Sequence, residues 1–191
     1  MNVYDFDNTI YNGDSTEDFI KWCVKRKPSL ALKLIGGGVS FCAYKLKMCS
    51  KTHFKEKMFS YLSGIPETDE WVNEFWNEHL VNIKKWYFNN KKDDDVIISA
   101  SPEFLLKPIC QRLGVSNLMA SRVDKRTGLY YGINCFGAEK VRRFKEKFNA
   151  EIDEFYSDSF SDSPLADISK EAFYVCGEVL IPWNKAKHHK Q

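Results

Sequence analysis

Two short apolar segments, far apart in the chain, constrain the fold more than any other feature of the sequence. Residues 2–6 (NVYDF) and 96–100 (VIISA) have the character of strands that are buried on both faces of a sheet. Between them, residues 14–90 place apolar side chains at helical spacing and contain little that favours strands. After residue 96, predicted strands alternate with predicted helices. This order predicts an α/β protein with a doubly wound, mostly parallel sheet and an all-helical insertion.

The helical block also predicts the domain organisation. We expect residues 1–13 and 91–191 to form an α/β core domain, and residues 14–90 to form a helical cap domain. A cap of this kind is expected to open and close over a site on the core. The predicted hinges are Asn12–Gly13 and Asn89–Lys92.

Local patterns predict the individual elements. In the cap, Ser15 or Thr16 ahead of Asp18 predicts the start of the first helix, and residues 67–90 predict one long helix with an apolar stripe. In the core, we expect a helix over 103–113 that ends at Gly114 and a second helix at GAEKVRRFKEKF. Strands are expected at NLMASRV, EIDEFYSDS and EAFYVCG, and a hairpin that bends at Gly128 is expected at VDKRTGLYYG. The basic tail KAKHHKQ is expected to be frayed.

The composition suits a globular protein of a reducing compartment. Hydrophobic residues make up 43% of the chain and aromatic residues 15%, which is enough to build a core. The six cysteines show neither CxxC nor metal-finger spacing and no signal peptide is recognisable, so we expect reduced, mostly buried thiols in a cytoplasmic protein. The most apolar stretch, Leu30–Met48, contains three lysines and a triple glycine, so it is a poor membrane span.

Positive charge is concentrated in one part of the predicted cap. Ten Lys or Arg residues and one acid, Glu56, lie between Lys21 and Lys57. A solvated helix face is the simplest interpretation. A surface that attracts an anionic substrate or an anionic membrane is the alternative. The chain contains no recognisable nucleic-acid-binding module, so no nucleic-acid partner is expected.

Polar side chains that can carry chemistry fall where predicted strands end. The groups are Asp5 and Asp7 with Thr9, Ser99 with Ser101, Lys140, and Asp158 with Asp162. Each alone has an ordinary explanation, such as a helix cap or a surface lysine. Because ligands bind beyond the carboxyl ends of parallel strands, we expect these groups to meet. Together they supply the nucleophile, second acid, cation and metal-binding carboxylates that phosphoryl transfer requires.

Four ordered motifs resemble those of the haloacid dehalogenase superfamily of phosphohydrolases. They are DFDNT, VIISASPEFLLKP, NCFGAEKVRRF and YSDSFSDSPLAD. The similarity is to the phosphoserine-phosphatase-like branch, in which a helical cap follows the first strand. It implies a Rossmann-like core and an Mg²⁺-dependent phosphatase that forms an aspartyl-phosphate intermediate.

The resemblance implies a role for each acid. Asp5 would be the nucleophile, and Asp7 would act as general acid and then general base. Asp5, the main-chain carbonyl of Asp7 and Asp158 would hold Mg²⁺, with Asp162 as a ligand or as support for the metal-bound waters and for Lys140. Mg²⁺ suits an all-oxygen site of this kind.

The resemblance also implies a phosphate-binding set. Ser99 and the amide of Ala100, expected at a helix N-terminus, would hold the phosphoryl oxygens. Lys140 would neutralise charge on Asp5 and on the phosphoryl group. The hydroxyl of Thr9 is expected to brace the loop.

The predicted cap departs from a phosphoserine-binding pattern. Asp14 could stand where that branch has a glutamate, but Lys55, Lys57 and Met58 lie where it has an arginine. Lysine cannot form the bidentate hydrogen bonds that arginine forms with a carboxylate. We therefore expect a small-molecule phosphomonoester other than simple phosphoserine. Phosphoserine itself and a lipid phosphate of the phosphatidylglycerophosphate type remain alternatives, and the apolar basic cap leaves peripheral membrane contact open.

Other classes fit the sequence less well. A signalling receiver domain would carry its acidic pair and its phosphorylated aspartate on different strands, without a helical block between the first two. A dehalogenase would not need Asp7 as an acid. A non-catalytic phosphate-binding module would be expected to lack one of the four motifs. A monomer and a homodimer are both compatible with the sequence.

Overall fold

The computed structural model describes residues 1–48 and 51–188, and its centre is a six-stranded sheet. The strands are β1 (Asn2–Tyr4), β2 (Val96–Pro102), β3 (Asn117–Ser121), β4 (Ile152–Ser157), β5 (Ser169–Cys176) and β6 (Val179–Pro182). Their order is β3-β2-β1-β4-β5-β6, with the first five parallel and β6 antiparallel at one edge. The predicted doubly wound α/β fold is confirmed. The antiparallel edge strand β6 was not predicted.

The first strand lies in the middle of the sheet, and all three of its residues are buried. Val3 pairs with Val96 on one side and with Phe155 on the other, and all three side chains are fully buried. Strands whose residues are all buried require helices on both faces of the sheet. The central position of β1 places the residue that follows it at the middle of the carboxyl edge.

Among the described residues between β1 and β2, the chain forms five α-helices. They are α1 (Ser15–Arg26), α2 (Leu30–Lys45), α3 (Lys51–Phe59), α4 (Thr68–His79) and α5 (Lys85–Asn90), with 3₁₀ turns at Ser60–Gly64 and Leu80–Asn82. We call this segment the helical insert. Aromatic side chains join it to the sheet: the Trp76 ring packs edge-on against Phe6 and Tyr11, and Tyr87 packs edge-on against Tyr4. Its division from the core at residues 13 and 91 stays a prediction.

The remaining helices follow β2. They are α6 (Glu103–Arg112), α7 (Ala138–Lys147), α8 (Ser163–Ala166) and α9 (Trp183–His188), with a 3₁₀ turn at Phe160–Asp162. The prediction of a frayed tail over 185–191 is wrong for residues 185–188, which lie in α9, and residues 189–191 lie outside the described residues.

The single long helix predicted over residues 67–90 is wrong. It breaks at Leu80, which is 41% exposed, and Ile83 adopts an extended conformation that forms an antiparallel bridge to Tyr11. The amide of Lys84 donates to the carbonyl of Ile10 at 2.8 Å. Pairing with the loop after β1 therefore outweighs the local helical preference.

Two smaller predictions are also corrected. The N-cap of α1 is Asp14, whose carboxylate accepts from the amide of Glu17 at 2.9 Å, rather than Ser15 or Thr16. The predicted hairpin is reduced to one antiparallel bridge between Val123 and Tyr130.

Gly128 does turn the chain in that region, with φ +79°, and a Cβ there would meet the backbone of Phe59 at 2.5 Å. Of the described cysteines, Cys23, Cys110 and Cys135 are buried and Cys42 and Cys176 are exposed, all as free thiols. Cys49 lies outside the described residues.

Asp95, directly before β2, provides a test of the packing there. Its side chain is almost fully buried, and burial raises its pKa to about 6. The carboxyl group of Asp95 therefore binds its proton more tightly in the folded protein than in the unfolded chain. As the pH rises from about 4 to about 6, loss of this proton lowers the free energy of unfolding. We expect Asp95→Asn to stabilise the protein by about 1–2 kcal/mol near neutral pH and to have little effect below about pH 4.

Urea unfolding at several pH values measures this difference. Asp93→Asn, an exposed neighbour, is the matched control and should show little change. A stability difference for Asp95→Asn that does not vary with pH would contradict the assignment.

Candidate active site

The candidate site lies where the strand order of the sheet changes direction. From β1 the chain builds β2 and β3 on one side and then β4 and β5 on the other. Asp5 directly follows β1 and Asp158 directly follows β4, so both lie at the carboxyl edge of adjacent strands. Ligands of open α/β sheets bind at such a point.

A cavity of about 670 Å³ opens at this edge. Its lining includes most of the residues that the sequence pattern singled out for the site, namely Asp5, Asp7, Asp14, Ser99, Ala100, Ser101, Lys140, Asp158 and Asp162, but not Thr9 or Lys57. The fold therefore brings these residues together, although they span 158 positions of the chain from the first to the last.

Lys140 connects two of the carboxylates. Gly137, with φ +58°, is the residue directly before α7, and Lys140 lies in the first turn of that helix, where it is 1% exposed. Its Nζ donates to Oδ1 of Asp5 at 2.9 Å and to Oδ2 of Asp162 at 2.8 Å. Burial opposes the charge on Lys140, but these two carboxylates outweigh burial and raise its pKa. The candidate nucleophile therefore has a permanent cation beside it.

Asp7 has a separate set of partners in the helical insert and in β2. Its Oδ1 accepts from the amide of Ser15 at 2.7 Å, and its Oδ2 accepts from the hydroxyl of Ser101. The Ser101 hydroxyl also contacts the hydroxyl of Thr16 at 2.9 Å. Because its partners are hydroxyl and amide groups, Asp7 does not have the compensating cation that Asp5 has.

Burial makes both acids weaker. Burial raises the pKa of Asp5 to about 7, against the opposing effect of Lys140. Burial and the charge of Asp14 raise the pKa of Asp7 to about 6, against the hydrogen bonds from Ser101 and Ser15. Carboxyl groups with such values can exchange protons near neutral pH. A cation bound at Asp5 would lower the pKa of Asp5 and so leave Asp7 as the protonated partner.

Thr9 joins the loop after β1 to the end of β4. Its Oγ1 accepts from the amide of Asp158 at 3.0 Å and lies 3.4 Å from Oδ1 of the same residue. The side chain of Thr9 is fully buried. This contact is the bracing role that the sequence predicted for Thr9. Burial raises the pKa of Asp158 as well.

Ser99 and Ala100 do not lie at a helix N-terminus, as the sequence analysis expected. They lie in β2, and α6 begins only at Glu103. Regular pairing between β2 and β3 is interrupted beyond Ile98, so this part of the strand is irregular. The hydroxyl oxygen of Ser99 accepts from the amide of Ser101 at 3.1 Å, which leaves its proton available to a ligand oxygen.

Residues of the insert complete the cavity. Asp14 lines it while also capping α1 through Oδ1, so one of its oxygens is already engaged. Lys55 and Met58 line the cavity, whereas Lys57 is exposed. The Nζ of Lys55 donates to Oδ1 of Asn134 at 3.1 Å.

Lys84 is a polar residue of the site region that sequence reasoning missed. Its side chain is 4% exposed, and its Nζ donates to the carbonyl of Asn8, in the loop that carries Asp7. Burial lowers its pKa, while the charges of Glu178 and Asp158 oppose that effect. The sequence offers little signal, because Lys84 and Lys85 lie side by side between Ile83 and Trp86 and nothing local distinguishes the buried lysine from the exposed one.

The residues at this edge suit a hard divalent cation. The available ligands are oxygens, and Oδ1 of Asp162 is buried without a hydrogen-bond partner. Within the described ranges, no three His, Cys, Asp or Glu side chains are grouped as a metal site. A site built on Asp5, Asp158 and the carbonyl of Asp7, completed by water and phosphate, needs only two carboxylates.

Comparison with known proteins identifies the class that this fold and site define. Residues 3–167 match the haloacid dehalogenase-like hydrolases, and the chain belongs to that family. The chain is 22% identical to a histidinol-phosphatase of Neisseria meningitidis, over 91% of this chain and 88% of that protein. It is 26% identical to the protein CicA of Caulobacter vibrioides, over 90% and 84% of the two chains.

The solved structures agree in fold. A phosphoserine phosphohydrolase-like protein from Francisella tularensis superposes with a TM-score of 0.56 at 16% identity, covering 91% of this chain and 87% of that one. The predictions of the family and of an enzyme of the phosphatase type are thereby confirmed.

Lys84 gives a testable prediction. In Lys84→Met the carbonyl of Asn8 loses its donor and Asp158 loses a nearby positive charge. We expect hydrolysis of an aryl phosphate to slow by at least about tenfold, and the acidic limb of its pH profile to move to higher pH, because removing a cation raises carboxyl pKa values.

Lys85→Met, at an exposed neighbouring position, is the matched control and should behave as wild type. Turnover and thermal melting are measured for both variants. A lower Tm with an unmoved pH profile would show that Lys84 only supports the fold.

Proposed function

We propose that this protein is a cytoplasmic, Mg²⁺-dependent phosphatase that hydrolyses a phosphomonoester through an aspartyl phosphate on Asp5. The observation that carries the proposal is the different setting of the two acids in one cavity. Asp5 contacts the ammonium of Lys140, and Asp7 contacts the hydroxyl of Ser101 and an amide. Two carboxyl groups with different surroundings can act as nucleophile and as proton donor.

In the first half-reaction, a carboxylate oxygen of Asp5 forms a bond to phosphorus as the bond to the ester oxygen breaks. The departing alkoxide takes the proton of Asp7 and leaves as the alcohol. In the second half-reaction, Asp7 accepts a proton from water, and the water oxygen attacks phosphorus. The bond between phosphorus and Asp5 breaks, which releases inorganic phosphate and regenerates the free carboxylate of Asp5.

Three groups are proposed to hold the phosphoryl oxygens. The Nζ of Lys140 offers positive charge, the hydroxyl of Ser99 can donate, and the amide of Ala100 lies in the irregular part of β2. All three line the same cavity as Asp5. Fixed donors aimed at developing charge are the main electrostatic contribution to phosphoryl transfer.

Mg²⁺ would be held by Asp5, the carbonyl of Asp7 and Asp158, with Asp162 as a ligand or as support for Lys140. When bound, it would neutralise charge on the phosphoryl oxygens and favour the ionised form of Asp5.

The walls of the cavity support a substrate other than simple phosphoserine. Phe41, Phe54, Met58 and Phe59 of the insert line it, and Phe136 of the core faces the same space. These side chains favour a leaving group with apolar or aromatic surface.

Phosphoserine, a lipid phosphate of the phosphatidylglycerophosphate type, and the substrate named for the Neisseria relative are the alternatives. A panel of these phosphomonoesters discriminates between them. A phosphate-binding module without activity on the same fold is the competing class.

The role of Asp7 is tested with an aryl phosphate. Its leaving group needs little protonation, so Asp7→Asn should still transfer the phosphoryl group to Asp5 but should hydrolyse the intermediate slowly. We expect a burst of aryl alcohol stoichiometric with enzyme, followed by turnover reduced at least about 100-fold. Rapid-quench kinetics in the presence of Mg²⁺ measures both phases.

Asp5→Asn is the control and should show neither burst nor turnover. Residual activity that is equal in wild type and Asp5→Asn would support the phosphate-binding module instead. Near-normal steady-state turnover of Asp7→Asn would contradict the role of Asp7.

A further inference from the structure

The outward side of α2 exposes a row of large apolar side chains. Leu32, Ile35 and Val39 of α2 are 71%, 62% and 68% exposed, and Leu46 and Met48, beyond the end of the helix, are 71% and 76% exposed. Spacings of three and four residues place the first three on one side of the helix. We call these five residues the α2 face.

The α2 face is unusual for a surface that only contacts water. Single exposed apolar residues are common, but a contiguous row marks an interaction site. The glycines in the same helix point to the same conclusion. A Cβ at Gly37 would meet Met58 at 3.1 Å, whereas a Cβ at Gly36 or Gly38 would meet nothing within 4 Å. Helical glycine costs about 1 kcal/mol relative to alanine, and packing within the described chain explains it only at Gly37.

Lysines flank this face at both ends. Lys27 and Lys33 lie near its start, where they donate to the carbonyl of Gly64 and the hydroxyl of Ser63. Lys45 and Lys47 lie near its end, and all four are exposed. None of them forms an ion pair with an acid in the described part of the chain, and α2 itself contains no acidic residue. Their positive charge is therefore not neutralised by nearby carboxylates.

We propose that the α2 face docks on the surface of an anionic phospholipid bilayer. The apolar row would enter the interfacial region, and the lysines would meet the anionic headgroups. The helix would lie along the surface, since no helix among the described residues is long and apolar enough to cross a bilayer.

The charges argue against a second copy of the chain as the occupant. Two α2 faces packed together would bring eight flanking lysine side chains near one another, without an acid on either helix to compensate. Like charges at an interface oppose association, whereas anionic lipid headgroups supply the missing counter-charge.

The position of the face connects docking to the cavity, and this step rests on the proposed function. Phe41 of α2 packs on Phe54 of α3 with ring centroids 5.4 Å apart, and both rings line the cavity together with Met58. The helix that would touch the bilayer therefore also forms part of the apolar wall beside Asp5. A phosphomonoester with a lipid portion could pass from the bilayer to such a wall.

The apolar part of the proposal is tested by co-sedimentation of the full chain with vesicles. Phosphatidylcholine vesicles with and without phosphatidylglycerol are compared at low salt. We expect wild type to bind only the phosphatidylglycerol vesicles, and Ile35→Ser with Val39→Ser to bind at least about tenfold more weakly. Val81→Ser, at an apolar site in the insert that is 80% exposed, is the matched control and should bind as wild type.

The electrostatic part uses a pair of charge reversals with equal spacing. Lys45→Glu with Lys47→Glu should weaken binding at least about tenfold, and added salt should weaken wild-type binding. Lys145→Glu with Lys147→Glu makes the same change on α7, where both lysines are exposed, and should bind as wild type. All variants should retain the aryl phosphatase activity of wild type, because binding does not require turnover, and melting curves show that each variant is folded.

Three outcomes would overturn the proposal. The first is no binding of wild type to phosphatidylglycerol vesicles at low salt. The second is equal loss of binding in the two pairs of charge reversals, which would show general electrostatic attraction. The third is a wild-type protein that does not bind vesicles but forms a dimer in sedimentation velocity, with the dimer lost in Ile35→Ser with Val39→Ser. That result would assign the α2 face to contact with a second copy of the chain. Each can occur with aryl phosphatase activity intact, so failure here is separate from failure of the proposed function.

Discussion

The buried ammonium of Lys140 is the interaction on which the rest of the site depends. It contacts Asp5, directly after β1, and Asp162 in the turn before α8, so it joins the segments that follow the neighbouring strands β1 and β4. Removing one partner of such a buried pair typically costs about 3–5 kcal/mol, because the remaining charge is left without compensation. The same contact would hold the nucleophile in place and supply positive charge where the phosphoryl group would sit.

The loop after β1 is constrained by groups from three directions. Thr9 connects it to Asp158, the side chain of Lys84 binds the carbonyl of Asn8, and the amide of Ser15 binds Asp7. Asn8 itself has φ +54°, a left-handed conformation that is uncommon for residues other than glycine. Residues of the insert therefore help to set the geometry of the loop after β1, and any movement of the insert would change the position of the Asp7 side chain.

Much of this arrangement could be predicted from the sequence, because it depends on local patterns. Fully apolar runs predicted β1 and β2, and acids or hydroxyls directly after them marked the carboxyl edge of the sheet. Lys140 was predicted only through its motif, since a lysine in a helical pattern is ordinarily a surface residue. Its burial follows from the turn at Gly137, which no periodicity indicates.

The features that were missed depend on tertiary contacts. The break near Leu80 arises because Ile83 pairs with Tyr11, which is distant in sequence. Lys84 is buried for the same reason, and the hydroxyl of Thr16, predicted as a cap, instead contacts Ser101 of β2. The edge strand β6 is short and only partly buried, so its pattern is too weak to predict.

The most direct test of the account is to identify the residue that carries phosphate during turnover. The enzyme is mixed with Mg²⁺ and substrate, quenched in acid, digested and analysed by mass spectrometry. We predict one phosphoryl group on the peptide that contains Asp5, in larger amount in Asp7→Asn than in wild type. Phosphate on another residue, or none in Asp7→Asn while substrate is being consumed, would contradict the account.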